Sequence, residues 1–372
     1  NVNIFTHSGY HPHLEVNSKS DFCKLKKNIV QQMSQKKVIS NDYKKDHLAI
    51  GCYYFKKFDY IENYFKNNFL NKNNEYYIVS IINYLIKRKI KVTSYQINKF
   101  VHLGIPDQYI DYLNWKDEFK KKSVLNFKKN NLFYNFSTVM LMAGKGNRVK
   151  NISKKKFLIT IKNQKIYELI FNTFNTDKKY IITNKENLKD IKNKNKYQIY
   201  TIKKNNSMFQ TINSSSNFLM KKKNFFLTSC DCYGNFEFTE LIKKINQTSS
   251  DIIFFAFNFS GLQKKLSNSH TQLIISNNKF KNIRVKLKFN KNYLGHAGFF
   301  WIKDGNIFNH ISNFKKNYKK GFGRELIIDD YFKYLIEKKI VNASYLILKN
   351  YIHVGSDEEY LEYKYWQNYF NG

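Results

Sequence analysis

"LMAGKGNRVKNISKKKFL" (residues 141–158) is an apolar strand end that breaks into two glycines and an arginine, then meets a cluster of lysines. Just upstream, "TVMLM" (138–142) reads as a short buried strand. A strand running into Gly144 and Gly146 has to turn tightly there, and it lets a ligand approach the backbone closely. Exposed N–H groups in such a loop cradle phosphate oxygens. Arg148 adds a planar fork suited to phosphate, and Lys156 a point charge a few residues on. The spacing is neither GxGxxG nor the phosphate-loop pattern GxxxxGK(S/T), so the glycines by themselves also suit an ordinary turn.

The flanking pattern supplies the context. From residue 137 onward, apolar strands alternate with amphipathic helices, which argues for an α/β domain with a largely parallel sheet. "QKIYELIFNTF" (164–174) places Ile166, Leu169, Ile170 and Phe174 at helical spacing. "KKYIIT" (178–183), "YQIYTI" (197–202), "NFFLTSCD" (224–231) and "DIIFFAF" (251–257) read as strands. "NKENLKDIKN" (184–193), "MFQTINSSSNFLM" (208–220) and "FTELIKKI" (238–245) read as helices between them. After about residue 259 the pattern changes to strands and turns, "HTQLIIS" (270–276), "NIRVKL" (282–287) and "HAGFFWI" (296–302), before helices return near Phe308 and Glu325.

"FFLTSCD" leads an apolar strand straight into Asp231. A carboxylate at the carboxyl end of a strand in an open α/β sheet is where ligands and Mg²⁺ are expected, although a helix N-cap uses the same residue. Paired with the glycine loop, Asp231 reads as part of a nucleotide-phosphate and metal site.

The chain also repeats itself. "GCYYFKK" (51–57) is echoed by "GFFWIKD" (298–304), and "FVHLGIPDQYIDYLNW" (100–115) by "YIHVGSDEEYLEYKYW" (351–366). Between them, "EYYIVSIINYLIKRKIK" (75–91) aligns without a gap to "ELIIDDYFKYLIEKKIV" (325–341), with seven of seventeen positions shared. Three matches in one order, at a nearly constant offset of about 250 residues, point to two copies. In the later copy Ser356 and Glu359 form a capping box; in the earlier one Pro106 takes the first helical position. Residues 1–120 contain nothing like the opening glycine loop. They therefore read as the carboxyl-terminal half of a first domain whose front half is missing, with Gly51, Glu75 and Gly104 architectural there. Residues 121–136, polar and charge-rich, read as a linker, and 137–372 as one complete domain. The start at Asn1 reads as a truncation point.

Composition bounds the rest. Over 372 residues, 42% hydrophobic and 17% aromatic content describes globular material with a sizeable core. No run of about 18 apolar residues and no secretory leader occur, so a cytoplasmic protein without a membrane span is expected. The four cysteines show no zinc-ligand spacing and read as reduced thiols. Sixty-four Lys and Arg against 28 Asp and Glu leave a net charge of +36. The lysines are spread along the whole chain amid abundant Asn, Ile, Phe and Tyr, as AT-rich coding would produce. No nucleic-acid motif accompanies them, so the charge favours small anionic ligands over nucleic acid.

These motifs resemble the sugar-phosphate nucleotidyltransferase family. "MAGKGNRVKNISKKKFLI" looks like its AGxGxR signature and Pro-Lys-Pro-Leu segment, "LTSCD" like its metal-binding Asp strand, and "HAGFFWIK" like its later glycine strand. "NEYYIVSIINYLI" and "VHLGIPDQYIDYL" look like the carboxyl-terminal part of members associated with capsular polysaccharide synthesis. The resemblance covers residues 137–372 and, again in its second half, 1–120. It implies a Rossmann-like fold with a mixed, mostly parallel sheet, Mg²⁺ as cofactor, and an NTP and a sugar phosphate as substrates. By the same resemblance Leu141, Ala143, Gly144, Gly146 and Arg148 bind nucleotide, and Arg148, Lys156 and Asp231 carry the chemistry. Asp231 also holds the metal, while Lys286, Gly298 and Glu325 meet the sugar phosphate. The chain departs from the pattern at Lys155 and Phe157, where prolines are usual, and at Ser207, where a glycine is expected. Val285 replaces a frequent glutamate, and His353 stands where better-known members carry a second metal-binding Asp. His353 reads first as a structural histidine, then as a ligand. Two other readings stay open: a glycosyltransferase of the same fold, and a non-catalytic nucleotide-binding domain.

Overall fold

The structure is a computed structural model that describes residues 1–14, 20–40, 42–67, 76–120, 136–144, 146–149, 151–203, 207–317 and 325–371. The 121–136 linker, apart from Phe136, and Glu75 lie outside the described residues. The chain forms two compact units, Asn1–Tyr112 with Lys364–Gly372, and Leu113–Tyr363.

In the smaller unit, β1 (Val2–His7), β2 (Phe22–Lys26), β3 (Ile29–Ser34), β4 (His47–Phe55) and β5 (Val92–Gln96) close a barrel in the order β1-β4-β2-β3-β5. α1 (Asp59–Asn67) and α2 (Ile78–Lys87) follow β4, and α3 (Pro106–Lys120) begins on Pro106, where a missing N–H costs nothing. Val79, Ile82 and Leu85 of α2, at helical spacing, pack with Val2, Ile4, Val30 and Val92 of the strands in one buried cluster.

The larger unit is built on a nine-stranded sheet. β6 (Ser137–Leu141) leads through a ribbon, β7 (Thr160–Ile161) and β8 (Gln164–Lys165), into α4 (Ile166–Phe174). The four apolar residues that define this helix in the sequence are all buried, and left-handed Asn175 ends it. β9 (Lys178–Asn184), α5 (Lys185–Leu188), β10 (Gln198–Ile202), α6 (Met208–Ser214), α7 (Ser216–Leu219) and β11 (Lys223–Thr228) follow. Then come β12 (Cys232–Asn235), α8 (Phe238–Gln247), β13 (Ile252–Phe257), α9 (Gly261–Lys265), β14 (Thr271–Ser276), β15 (Lys279–Val285) and β16 (Leu294–Asp304). α10 (Ile311–Asn317), α11 (Ile328–Glu337), β17 (Ala343–Ile347), β18 (Asn350–His353) and α12 (Asp357–Asn371) complete the chain.

The main strand order is β10-β9-β6-β11-β16-β13-β17, with the β14–β15 hairpin attached to β16. β10, β9, β6 and β11 run parallel, as do β13 and β17; within this main order only β16 opposes its neighbours, and the attached β14–β15 hairpin is antiparallel as well. This is the mixed, mostly parallel α/β sheet expected. β6 and β13 are buried at every position, as strands covered on both faces must be.

Three local expectations change. The helix over 184–193 shrinks to α5, and the helix over 208–220 is interrupted at Ser215 between α6 and α7. β11 stops at Thr228, so Asp231 sits in the short link to β12 rather than at the last strand residue.

The two units share a pairing scheme. β1 pairs antiparallel with β4 and parallel with β5, while β2 pairs with β3 and β4. Likewise β13 pairs antiparallel with β16 and parallel with β17, while β14 pairs with β15 and β16. Register breaks fall between Ile4 and Thr6 and between Phe254 and Ala256. Among the described residues no helix is long and apolar enough to cross a membrane, and all four cysteines are free thiols.

Candidate active site

A cavity of about 760 Å³ opens in the larger unit. Leu141, Ala143, Gly144, Gly146 and Arg148 line it from the segment after β6. Lys156 and Asp231 line it too, as do Lys286, Gly298 and Glu325. The ten residues that the sequence assigns to nucleotide, metal and sugar phosphate thus line a single cavity.

The loop is held from behind by its own unit. Asn184 donates to the Ala143 carbonyl at 2.9 Å, Asn187 to the Met142 carbonyl at 2.6 Å, and Thr183 to the same Met142 oxygen at 3.2 Å. Asn184 also caps α5 by accepting from the Asn187 amide at 2.8 Å, so the strand end, cap and loop fix one another. Gly146 has φ +68, and a Cβ there would lie 3.3 Å from the Lys156 nitrogen, so backbone conformation and space both select glycine. Around Gly144 a Cβ would meet nothing within 4 Å, which leaves open space beside the backbone. Gly298 has φ +76 in β16, and a Cβ there would lie 3.0 Å from the Ser229 hydroxyl, two residues before Asp231.

The charges are arranged in a chain. Lys156 Nζ donates to Asp231 Oδ2 at 2.8 Å. His353 Nε2 lies 3.7 Å from the same oxygen, an ion-pair rather than a hydrogen-bond distance. On its other side His353 Nδ1 meets Glu359 Oε1 at 2.6 Å, and Ser356 donates to Glu359 Oε2 at 2.9 Å. His270 Nε2 stands 3.9 Å from Glu359 Oε1. Burial alone would raise Asp231, but Lys156 and His353 outweigh it and hold its carboxyl well below the usual range. Burial would likewise raise Glu359, yet the His353 charge brings it down to about 2. For His353 burial opposes the charge, and the Glu359 carboxylate overcomes it and holds the imidazole well above its ordinary value. His270 goes the other way: burial and then the neighbouring His353 charge lower it to about 3.

Glu359 therefore stabilises the fold above its unfolded value of 4.5 and stops doing so as pH falls toward about 2. His353 contributes below its unfolded value of 6.5 and loses that contribution as pH rises through its raised folded value. The pair is worth most between about pH 4.5 and 6.5. In metal-free buffer, Glu359→Gln is expected to cost on the order of 2–3 kcal/mol at about pH 5.5, and the gap to the parent should narrow at about pH 3. Denaturant midpoints at the two pH values measure this; an equal gap at both would contradict it.

Several residues of this wall were not singled out in the sequence. His270, His296, Asp329 and Tyr351 all line the cavity, and His296 Nδ1 meets Asp329 Oδ1 at 2.8 Å. Ser207, which replaces an expected glycine, is the N-cap of α6 and accepts from the Gln210 amide at 3.0 Å. Val285 is a buried core residue, and Lys286 beside it has φ +50. His353, read first as structural, lies on the cavity wall within hydrogen-bonding distance of Glu359.

No protein-family model matches the chain, and no curated protein matches it. Solved structures do. A Bacillus anthracis protein assigned as a glucose-1-phosphate thymidylyltransferase shares 15% identity, over 61% of this chain and 95% of its own, with a TM-score of 0.49. A nucleoside-diphosphate-sugar pyrophosphorylase from Vibrio cholerae RC9 shares 15%, over 61% and 98%, at 0.48. The inositol-1-phosphate CTP transferase from T. maritima shares 11%, over 64% and 97%, at 0.47.

Proposed function

We propose that the larger unit is a nucleotidyltransferase, transferring a nucleotidyl group from an NTP to a sugar phosphate or similar phosphorylated acceptor. The observation that carries this reading is the convergence of the Gly144–Gly146 loop, Arg148, Lys156 and Asp231 on one cavity. An oxygen of the acceptor phosphate attacks the α-phosphorus in line, the bond between α-phosphorus and bridging oxygen breaks, and pyrophosphate leaves. The attacking phosphate is already ionised, so no general base is needed, and catalysis consists of positioning and charge stabilisation.

In this reading loop amides and Arg148 bind the triphosphate, with Arg148 polarising the attacked α-phosphate. Lys156, 2.8 Å from Asp231, turns to the phosphate when the triphosphate binds. Lys286, Gly298 and Glu325 border the acceptor. One carboxylate with phosphate oxygens and water is an ordinary magnesium donor set, and Asp231 supplies that carboxylate. Bound there, Mg²⁺ neutralises triphosphate charge. The product would be an activated sugar for surface-polysaccharide assembly, made in the cytoplasm. The smaller unit, lacking any counterpart of the glycine loop, is proposed as a second copy of the later half of the larger one, on the strength of the aligned sequences and the shared strand pairing.

Pyrophosphate release with a panel of NTPs and sugar phosphates tests the reading. Release that depends on both substrates supports it, whereas NTP binding without release would make the unit a binding domain.

A further inference from the structure

We propose that His270, His353 and Glu359 form a binding site for a divalent transition-metal ion of borderline softness, such as Zn²⁺ or Co²⁺, on the wall of this cavity. The three donors come from separate elements: His270 immediately before β14, His353 at the end of β18, and Glu359 in the first turn of α12. Their ligand atoms all lie within 4.8 Å of one another. Glu359 Oε1 is the common point, 2.6 Å from His353 Nδ1 and 3.9 Å from His270 Nε2.

One feature lacks an account without an ion, and a second shows that the turn itself does not call for the carboxylate that pairs with His353. The His270 Nε2 atom is buried and has no hydrogen-bond partner, although the residue is only 5% exposed. Glu359 carries a charge that its helix cap does not require. At the start of α3, in "HLGIPDQ" (102–108), Gln108 holds the turn instead, accepting from the Gly104 and Ile105 amides at 2.8 and 3.2 Å. The matching "HVGSDEE" (353–359) has a carboxylate in that place.

Two imidazoles and a carboxylate select zinc-like ions over the all-oxygen preference of Mg²⁺ or Ca²⁺. The set matches the three-protein-ligand pattern of open zinc sites. His353 would offer Nδ1 to the ion while its Nε2 faces Asp231 Oδ2 at 3.7 Å. Because His270 and His353 both line the cavity, the remaining coordination position belongs to water or to a phosphate oxygen of a bound ligand. The site stands whether or not the cavity transfers nucleotidyl groups.

The test uses the full chain, stripped with a chelator and titrated with Zn²⁺ and then Co²⁺ without nucleotide, by calorimetry and by visible absorption of the cobalt form. Tight binding of a single ion is expected, weakened by at least about 10–100-fold in both His270→Ala and Glu359→Gln. Cys232→Ser should leave it unchanged. Thermal melting shows which variants remain folded, and if His270→Ala does not, Glu359→Gln decides, since glutamine holds the corresponding turn at position 108. Failure to bind either ion overturns the proposal. So does binding lost in Cys232→Ser yet retained in the other two, which would place the ion among Asp231, Cys232 and His353 instead.

Discussion

Arg148→Ala and Asp231→Asn are each expected to lower the rate of pyrophosphate release by about 10²–10³-fold, the scale for removing one preorganised charge stabiliser. The two should differ in everything else. Arg148 is exposed, in the short turn Asn147–Val149, so its loss should leave the unfolding midpoint unchanged and read on function alone. Asp231 opposes Lys156 at 2.8 Å and His353 at 3.7 Å, and replacing it leaves two cations facing each other without a carboxylate. Asp231→Asn should therefore also lower the midpoint, and restoring neither charge nor geometry by added Mg²⁺ is expected. Turnover in both variants equal to that of the parent would remove these residues from the site.

Phe254→Ala is expected to destabilise the chain by about 3–5 kcal/mol, the range for emptying a large aromatic site in a packed core. Phe254, fully buried in β13, stacks on Phe280 of β15 with ring centroids 5.3 Å apart. It also meets Phe300 of β16 at 5.4 Å and Phe332 of α11 at 6.0 Å. One ring thus joins the central sheet to the hairpin and to a helix. It also touches His296, at 5.3 Å, which pairs with Asp329 on the cavity wall. Urea unfolding should show a lower midpoint with an unchanged slope. A loss below about 1 kcal/mol would mean that the surroundings collapse into the gap.

The sequence was most legible where burial is local and periodic. β6, β9, β11 and β13 announce themselves as apolar runs, and α4 as a stripe ended by Asn175, because each pattern is written within a few residues. Strand direction is not. "HAGFFWI" reads as a strand, but only long-range pairing reveals that β16 runs against β11, β13 and β14 alike. The four-residue β12 was missed because "CYGN" has too little apolar content to register, and its partner β18 lies more than a hundred residues away. The same limit shaped the site. Gly146, Arg148 and Asp231 stand close to strand ends and could be found from their neighbours. His270 and His296 acquire meaning only from Glu359 and Asp329, which the fold supplies from distant helices. His353 looked like a lone histidine because its partner six residues on reads as a capping-box residue, whereas the Glu359 carboxylate accepts from the Ser356 hydroxyl and meets His353 Nδ1.

Calorimetric titration of the full chain with an NTP in the presence of Mg²⁺, set beside the same titration of Arg148→Ala, addresses the cavity itself. Saturable binding at a single site, weakened at least tenfold in the variant, is the predicted result. Equal affinity in the two proteins, or no heat with any of the four nucleotides, would show that the glycine loop and its guanidinium hold no triphosphate.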